Sequence, residues 1–144
     1  MHRPSNRERD YDDLVRIWSD IGWNKSQPAF DRGLDAYLEA CDTIVDVFNG
    51  SMEAGVSRTP GVLRVQSNEL PMVIIAGVYA SVVCRQGGVA SSMTASQVAA
   101  GVADGACVAT LGIFDQGFYD RLGFGCGPYV RRMTIEPTSL KVPR

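Results

Sequence analysis

Apolar and polar positions alternate along the chain with two periods, one helical and one extended. Leu14, Ile17, Trp18 and Ile21 recur at i, i+3, i+4 and i+7, the spacing of one helix face. Ser5 and Glu8 have capping-box spacing ahead of that stripe, and Gly22 stands where the helix should stop. Glu8, Asp12, Asp13, Arg16 and Asp20 fall on the opposite face, as expected for a solvated surface. Phe30, Leu34, Tyr37, Leu38 and Cys41 predict a second helix, capped by Ser26 and with Pro28 in its first turn. Residues 2–4 read as a short first strand and the β-branched residues 43–48 as another, closed by the turn pair Asn49 and Gly50. Residues 62–65 form a further predicted strand and residues 68–71 a loop. Residues 51–60 pattern less clearly, with 54–57 able to extend a hairpin.

The longest apolar run, residues 72–83, predicts a buried strand. It breaks at residues 84–90, a glycine-bearing turn, and resumes as a small-residue helix over 91–103. A strand-to-helix junction of this kind gathers unsatisfied N–H donors at the positive end of the helix dipole, which is an anion site. Gly87 and Gly88 leave the backbone open to such a ligand. Asp104 and Gly105 close the helix, residues 106–113 form a short buried strand, and a brief helix over 118–122 stops at Gly123. Residues 129–135 alternate as a last strand, and Pro137 and Pro143 bracket an irregular tail. The order β-α-α-β-β-β-α-β-α-β predicts an α/β layered fold with a mixed sheet.

Composition narrows the function classes. A length of 144 residues suits one domain spanning 1–144. A net charge of −2 argues against a nucleic-acid partner, which needs a basic face. The run at 72–83 is too short to span a bilayer and the first ten residues hold no apolar region, so no membrane association and a cytoplasmic location are expected. Cys41, Cys84, Cys107 and Cys126 form no metal-binding pair and are expected as free thiols. His2 is the one histidine, at a terminus expected to fray. This sets aside zinc, Ser-His-Asp and Cys-His schemes, and no metal is expected.

Two motifs carry the chemistry. Arg85, Gly88 and Ala90 fit the pattern R/Q-x-x-G-x-G/A at a helix start, and Phe118, Tyr119, Gly123 and Phe124 fit F-Y-x-x-x-G-F downstream. Together, in this order and after these strands, they make the chain resemble the GNAT superfamily of N-acetyltransferases. A closer likeness is to the N-terminal domain of the mycobacterial "enhanced intracellular survival" acetyltransferases. It spans residues 42–136 and is carried by Leu70, Pro71 and Met72, by residues 76–78, by the Gly88 turn and by residues 117–125.

The resemblance implies a GNAT fold: a central, mostly antiparallel mixed sheet flanked by helices and splayed between its fourth and fifth strands. It implies acetyl-CoA as acyl donor and direct transfer to a small primary amine of polyamine, aminoglycoside or lysine type. Val78, Tyr79 and Ala80 would offer backbone to the pantetheine arm. Gln86, Gly87, Gly88, Val89, Ala90 and Ser91 would give N–H groups to the pyrophosphate, with Arg85 alongside. Phe114 and Asp115 would border the thioester, and Tyr119 would protonate the leaving thiolate. Plain core packing of Tyr119 and a simple tight turn at Gly87 and Gly88 are the structural alternatives. Residues 72–83 hold no carboxylate, which leaves water relayed to Glu53 or Asp46 as the route for the amine proton. That gap makes a non-catalytic acyl-CoA-binding module, dependent on a partner chain, the alternative function. A single strand after the Tyr119 helix leaves a sheet edge open, so a homodimer is expected.

Overall fold

The computed structural model describes residues 2–23, 28–112, 116–127, 133–136 and 138. Its elements are β1 (Arg3–Pro4), α1 (Arg7–Asp20), α2 (Pro28–Ala40), β2 (Asp42–Phe48), β3 (Ser51–Val65), β4 (Asn68–Ala80), α3 (Val89–Ala103), β5 (Val108–Leu111) and α4 (Gln116–Asp120). The five strands lie in the order β1-β2-β3-β4-β5. Neighbours are antiparallel except β4 and β5, which pair in parallel. This is the open α/β mixed sheet expected of the GNAT fold. No helix among the described residues is long and apolar enough to cross a membrane.

Several boundaries differ from the sequence expectations. Asn6, not Ser5, caps α1, its side-chain oxygen accepting the Arg9 N–H at 3.0 Å. The unclear segment 51–60 and the strand 62–65 are one continuous strand, β3, and residues 68–71 belong to β4 rather than to a loop. The turn is the pair Gln66 and Ser67, with Gln66 at φ +56°. Pro71 fits inside β4 because its carbonyl accepts from Cys107 N, on the β5 side. Its missing N–H therefore faces that side, one residue before the β4–β5 ladder begins at Met72. β4 ends at Ala80, and Val82–Cys84 form a 3₁₀ turn where the strand was expected to continue. The next helix begins at Val89, two residues early, because Gly88 already turns the chain. Ser26, Ile113 and residues 129–132 of the expected last strand lie outside the described residues. Its described remainder, 133–135, is not in a strand.

The hairpin turn was legible: Asn49 at φ +52° and Gly50 at φ +89° supply the two left-handed residues of a two-residue connection matched to strand twist. Each sheet face then buries one cluster. Leu14, Ile17, Trp18 and Leu34 from the first two helices meet Val45, Met52 and Tyr79 on one side. Met93 of α3 meets Ala54, Val56, Val73 and Ile75 on the other. Gly101 lets α3 come down on β4, since a Cβ there would lie 2.6 Å from that of Val73. Buried Gln97 donates to the carbonyls of Asp42 (2.8 Å) and Val56 (2.9 Å), so no polar atom of its amide nitrogen is stranded.

The N-terminus is held rather than frayed. Arg3 pairs with Val45 in the sheet, and its guanidinium grips Asp10 with two bonds of 2.7 Å. Asp10 also accepts the Asn6 N–H at 2.7 Å. His2 contacts Asp46 of β2 through Nδ1 and Ser92 of α3 through Nε2, each at 3.2 Å. The charged face of α1 is likewise more than solvated. Asp13 accepts the Met52 N–H, while Arg16 binds Asp13, Glu53 and the Met52 carbonyl.

Candidate active site

The site begins where β4 outruns β5. Among the described residues the parallel ladder pairs 72–75 with 108–111, while β4 continues through residue 80. On its other edge β4 keeps its partners, with Val78 opposite Val56, Tyr79 opposite Gly55 and Ala80 opposite Ala54. Alternate residues of 76–80 therefore turn their N–H and C=O groups towards the splay, away from β3. Backbone polar groups in that position suit an extended ligand that carries amides of its own.

A cleft of about 340 Å³ opens beside this segment, lined by Ile21, Trp23, Val78, Tyr79, Ala80, Arg85, Ala90, Phe118 and Tyr119. Three helix ends meet there, and each is shaped by a glycine. At the end of α1, Gly22 takes φ +77°, Gly22 N bonds Ser19 O, and Trp23 N bonds Trp18 O at 2.7 Å. This is the Schellman termination, in which the residue after the glycine folds back over the last turn. Trp23 accordingly stacks edge-on against Trp18, with ring centroids 5.4 Å apart. α4 ends the same way: Gly123 takes φ +88°, Gly123 N bonds Asp120 O and Phe124 N bonds Tyr119 O. Tyr119 and Phe124 are the ring pair there, at 6.1 Å. The F-Y-x-x-x-G-F motif is thus the sequence of a helix clasp, and Trp18, Gly22 and Trp23 repeat its aromatic-x-x-x-Gly-aromatic spacing in α1.

The third helix end is the start of α3. Gly88 caps it at φ +72° and no side chain caps its first N–H groups. An added Cβ on Gly88 would meet nothing within 4 Å, so the left-handed backbone, not crowding, requires glycine there. Gln86 is left-handed too, at φ +69°. The donors of Val89, Ala90 and Ser91 and the dipole's positive end are left for an external anion. Arg85 lies in the same cleft.

Of the residues expected to serve the coenzyme, the cleft lining collects Val78, Tyr79, Ala80, Arg85, Ala90 and Tyr119. Gln86, Gly87, Gly88, Val89 and Ser91 form the adjoining loop and first helical turn. Phe114 and Asp115 lie outside the described residues. Glu53 and Asp46 do not line the cleft; Glu53 binds Arg16 and Asp46 binds His2. Sequence reasoning missed Ile21, Trp23 and Phe118 as lining residues. The clasp spacing around Gly22 was the available signal for Trp23.

Electrostatically the cleft is cationic where α3 begins and apolar elsewhere. Tyr79 is 3% exposed and its ring covers Gly55, where any Cβ would overlap it. Burial pushes its phenol far above the ordinary range, and pushes that of neighbouring Tyr37 up to about 12. Both hydroxyls stay protonated at any working pH. Burial, followed by the Glu53 and Asp46 carboxylates, also raises the Cys84 thiol, which makes it a poor nucleophile beside the loop.

Comparison with known proteins gives these features a family. The model of the acetyltransferase (GNAT) domain matches residues 3–127. A search of curated proteins finds no significant match. Among solved structures, a transcriptional regulator from Bacillus halodurans superposes with a TM-score of 0.76 at 17% identity, over 94% of this chain and 99% of that one. The aminoglycoside 6'-N-acetyltransferase AAC(6')-IG of Acinetobacter haemolyticus gives 0.76 at 14% identity, over 94% and 98%. Aminoglycoside N-acetyltransferase AAC(6')-Iy, solved with CoA, gives 0.75 at 16% identity, over 94% and 93%. At these identities the three structures speak to the fold. A family match that runs from β1 through the α4 clasp makes the chain a member of the acetyltransferase (GNAT) family.

Proposed function

We propose that this chain moves an acetyl group from acetyl-CoA directly to a small primary amine. The single observation that carries the reading is one cleft bounded by the end of β4 beyond its described ladder with β5, the start of α3 with no side-chain cap and the Tyr119 clasp. The pyrophosphate sits on the N–H groups of residues 86–91 beside Arg85, and the pantetheine amides add to the edge of β4 away from β3 as a further strand. The solved CoA complex of a fold relative supports this choice of donor. The likeness to the "enhanced intracellular survival" domain rests on the sequence segments alone.

Chemically, the amine must first lose one proton to become a nucleophile. Its lone pair then bonds the thioester carbonyl carbon, and a backbone N–H of β4 polarises the carbonyl oxygen. As the tetrahedral intermediate collapses, the C–S bond breaks and the nitrogen releases its second proton. The Tyr119 phenol protonates the departing thiolate and recovers a proton from solvent. With no carboxylate among the described lining residues, water carries the amine protons to bulk solvent.

Thiol release from acetyl-CoA, followed across a panel of primary amines, tests the reading. Amine-dependent release with one thiol per acetylated amine is the expected result. Acetyl-CoA binding with no thiol released by any amine would instead be the behaviour of a non-catalytic acyl-CoA-binding module.

A further inference from the structure

Outside the cleft, three side chains from three parts of the fold meet in a line. His2, just ahead of β1, puts Nδ1 3.2 Å from Asp46 Oδ1 on β2 and Nε2 3.2 Å from Ser92 Oγ on α3. None of the three is among the described residues that line the cleft. A terminal position counts against His2 in the sequence, but its neighbour Arg3 is anchored by pairing with Val45 and by two bonds to Asp10. The imidazole and the carboxylate are both partly buried, with side-chain exposures of 27% and 14%.

The two contacts decide which ring nitrogen carries the proton. An ionised carboxylate only accepts, so the neutral imidazole donates Nδ1–H to Asp46 and keeps its lone pair on Nε2. Ser92 then donates its hydroxyl proton to that lone pair, the relation of a nucleophile to its general base. Burial disfavours the Asp46 charge, yet the hydrogen bonds and charges around it, His2 among them, outweigh burial and hold the carboxyl below its usual range. Ser92 also differs from its helix neighbours. Thr94 and Ser96 donate to carbonyls four residues back, those of Ala90 at 2.8 Å and Ser92 at 2.9 Å. Ser92 turns its hydroxyl to the histidine instead, and it is exposed, so solvent-borne reagents can reach its oxygen. Its N–H bonds Gly88 O at 3.0 Å, which places it in the first turn of α3, near the positive pole of the helix. That pole favours the charge that develops on an attacked carbonyl oxygen.

We propose that Ser92, with His2 as its base and Asp46 orienting the imidazole, is a nucleophilic serine that takes acyl groups from small carboxylic esters. Ser92 Oγ bonds the ester carbonyl carbon as its proton passes to His2 Nε2. The ester C–O bond breaks, and the same proton leaves with the alcohol. Water then attacks acyl-Ser92 while giving a proton to Nε2; the carboxylic acid departs and Ser92 Oγ takes that proton back. The site uses neither acetyl-CoA nor an amine, so it is independent of the transfer reaction.

The test uses the full chain without coenzyme. A fluorophosphonate, which phosphonylates activated serines and expels fluoride, is added, and the adduct is located by mass spectrometry. A single label, on Ser92, is expected. His2→Gln should slow labelling at least about 100-fold, the low end of a general base's contribution, while Ser96→Ala, one turn along α3, should label as wild type does. The pH profile separates a base from a structural support. Wild-type labelling should level off once His2 is neutral, whereas in His2→Gln it should keep rising by about tenfold per pH unit, as hydroxide alone forms the alkoxide. Asp46→Asn should slow labelling and move the levelling-off to lower pH, because the imidazolium loses its counter-charge. With the thiols alkylated, p-nitrophenyl acetate should be hydrolysed through acetyl-Ser92. No adduct on Ser92, or equal labelling rates in wild type and His2→Gln, would overturn the proposal. Ester hydrolysis unchanged in Ser92→Ala would overturn the choice of substrate.

Discussion

Tyr119→Phe protein is expected to bind acetyl-CoA as wild type does and to transfer the acetyl group about 100-fold more slowly, the low end of what a positioned proton donor contributes. The substitution removes one oxygen and keeps the ring, so the packing against Phe118 and Phe124 survives. The clasp itself is made by backbone, through Phe124 N to Tyr119 O, and does not depend on the hydroxyl. What disappears is the proton offered to the thiolate as the C–S bond breaks. The deficit should shrink with acetyl donors whose leaving thiol is more acidic, because such a thiolate needs the proton less. Pre-steady-state thiol release with the two donors checks both statements. Unchanged turnover in Tyr119→Phe would assign the ring to packing alone.

The largest stability effect should come from a residue outside the cleft. Asp10→Ala is expected to destabilise the fold by about 3 kcal/mol, the low end for breaking a buried ion pair by removing one partner. For a chain of this size that lowers the melting temperature by roughly 10 °C. The Asp10 side chain is only 6% exposed and is held by two Arg3 bonds and the Asn6 N–H, whereas Arg3 retains 25% exposure and can hydrate when abandoned. Hydrogen bonds from Arg3, aided by the Asn6 N–H and by the charges of Arg3 and Arg9, outweigh burial and hold the Asp10 carboxyl below its usual range. A depressed folded value means that this stabilisation is complete above the ordinary carboxylate pKa of about 4 and drains away as pH falls through the folded value. Denaturant melts from pH 7 downward should show wild type losing stability more steeply below about pH 4 than Asp10→Ala does. Parallel acid limbs would place the pair outside the pH response.

Local chemistry made much of this molecule readable. The α1 stripe, the Asn49–Gly50 turn and the glycine stops at 22 and 123 each follow from backbone preferences within a few residues, and each appears in the fold. The turn ahead of α3 was legible for the same reason, since Gly88 must supply a left-handed residue before a helix with no side-chain cap. Partners distant in sequence were not legible. Asp10 looks like one more acidic residue on a helix until Arg3 reaches it from β1. Residues 68–71 resemble a loop because Pro71 discourages a strand, and only the position of β5 shows that its missing donor falls outside the ladder. Trp23 fell between two assignments, just past one helix, although the spacing from Trp18 through Gly22 encodes its return to the cleft. The charged stripe of α1 was assigned to solvent, yet Asp13 and Arg16 clamp the first residues of β3, a contact set by tertiary packing.

Calorimetric titration of the full chain with acetyl-CoA measures most directly whether the splay, the α3 start and the α4 clasp form one coenzyme site. One-to-one binding with a Kd of about 10 µM is predicted, an affinity typical of enzyme substrates. The same titration with Arg85→Ala should give a Kd about tenfold weaker, the loss expected for one charge-assisted phosphate contact. No heat of binding at millimolar acetyl-CoA would contradict the site and the acetyl transfer built on it.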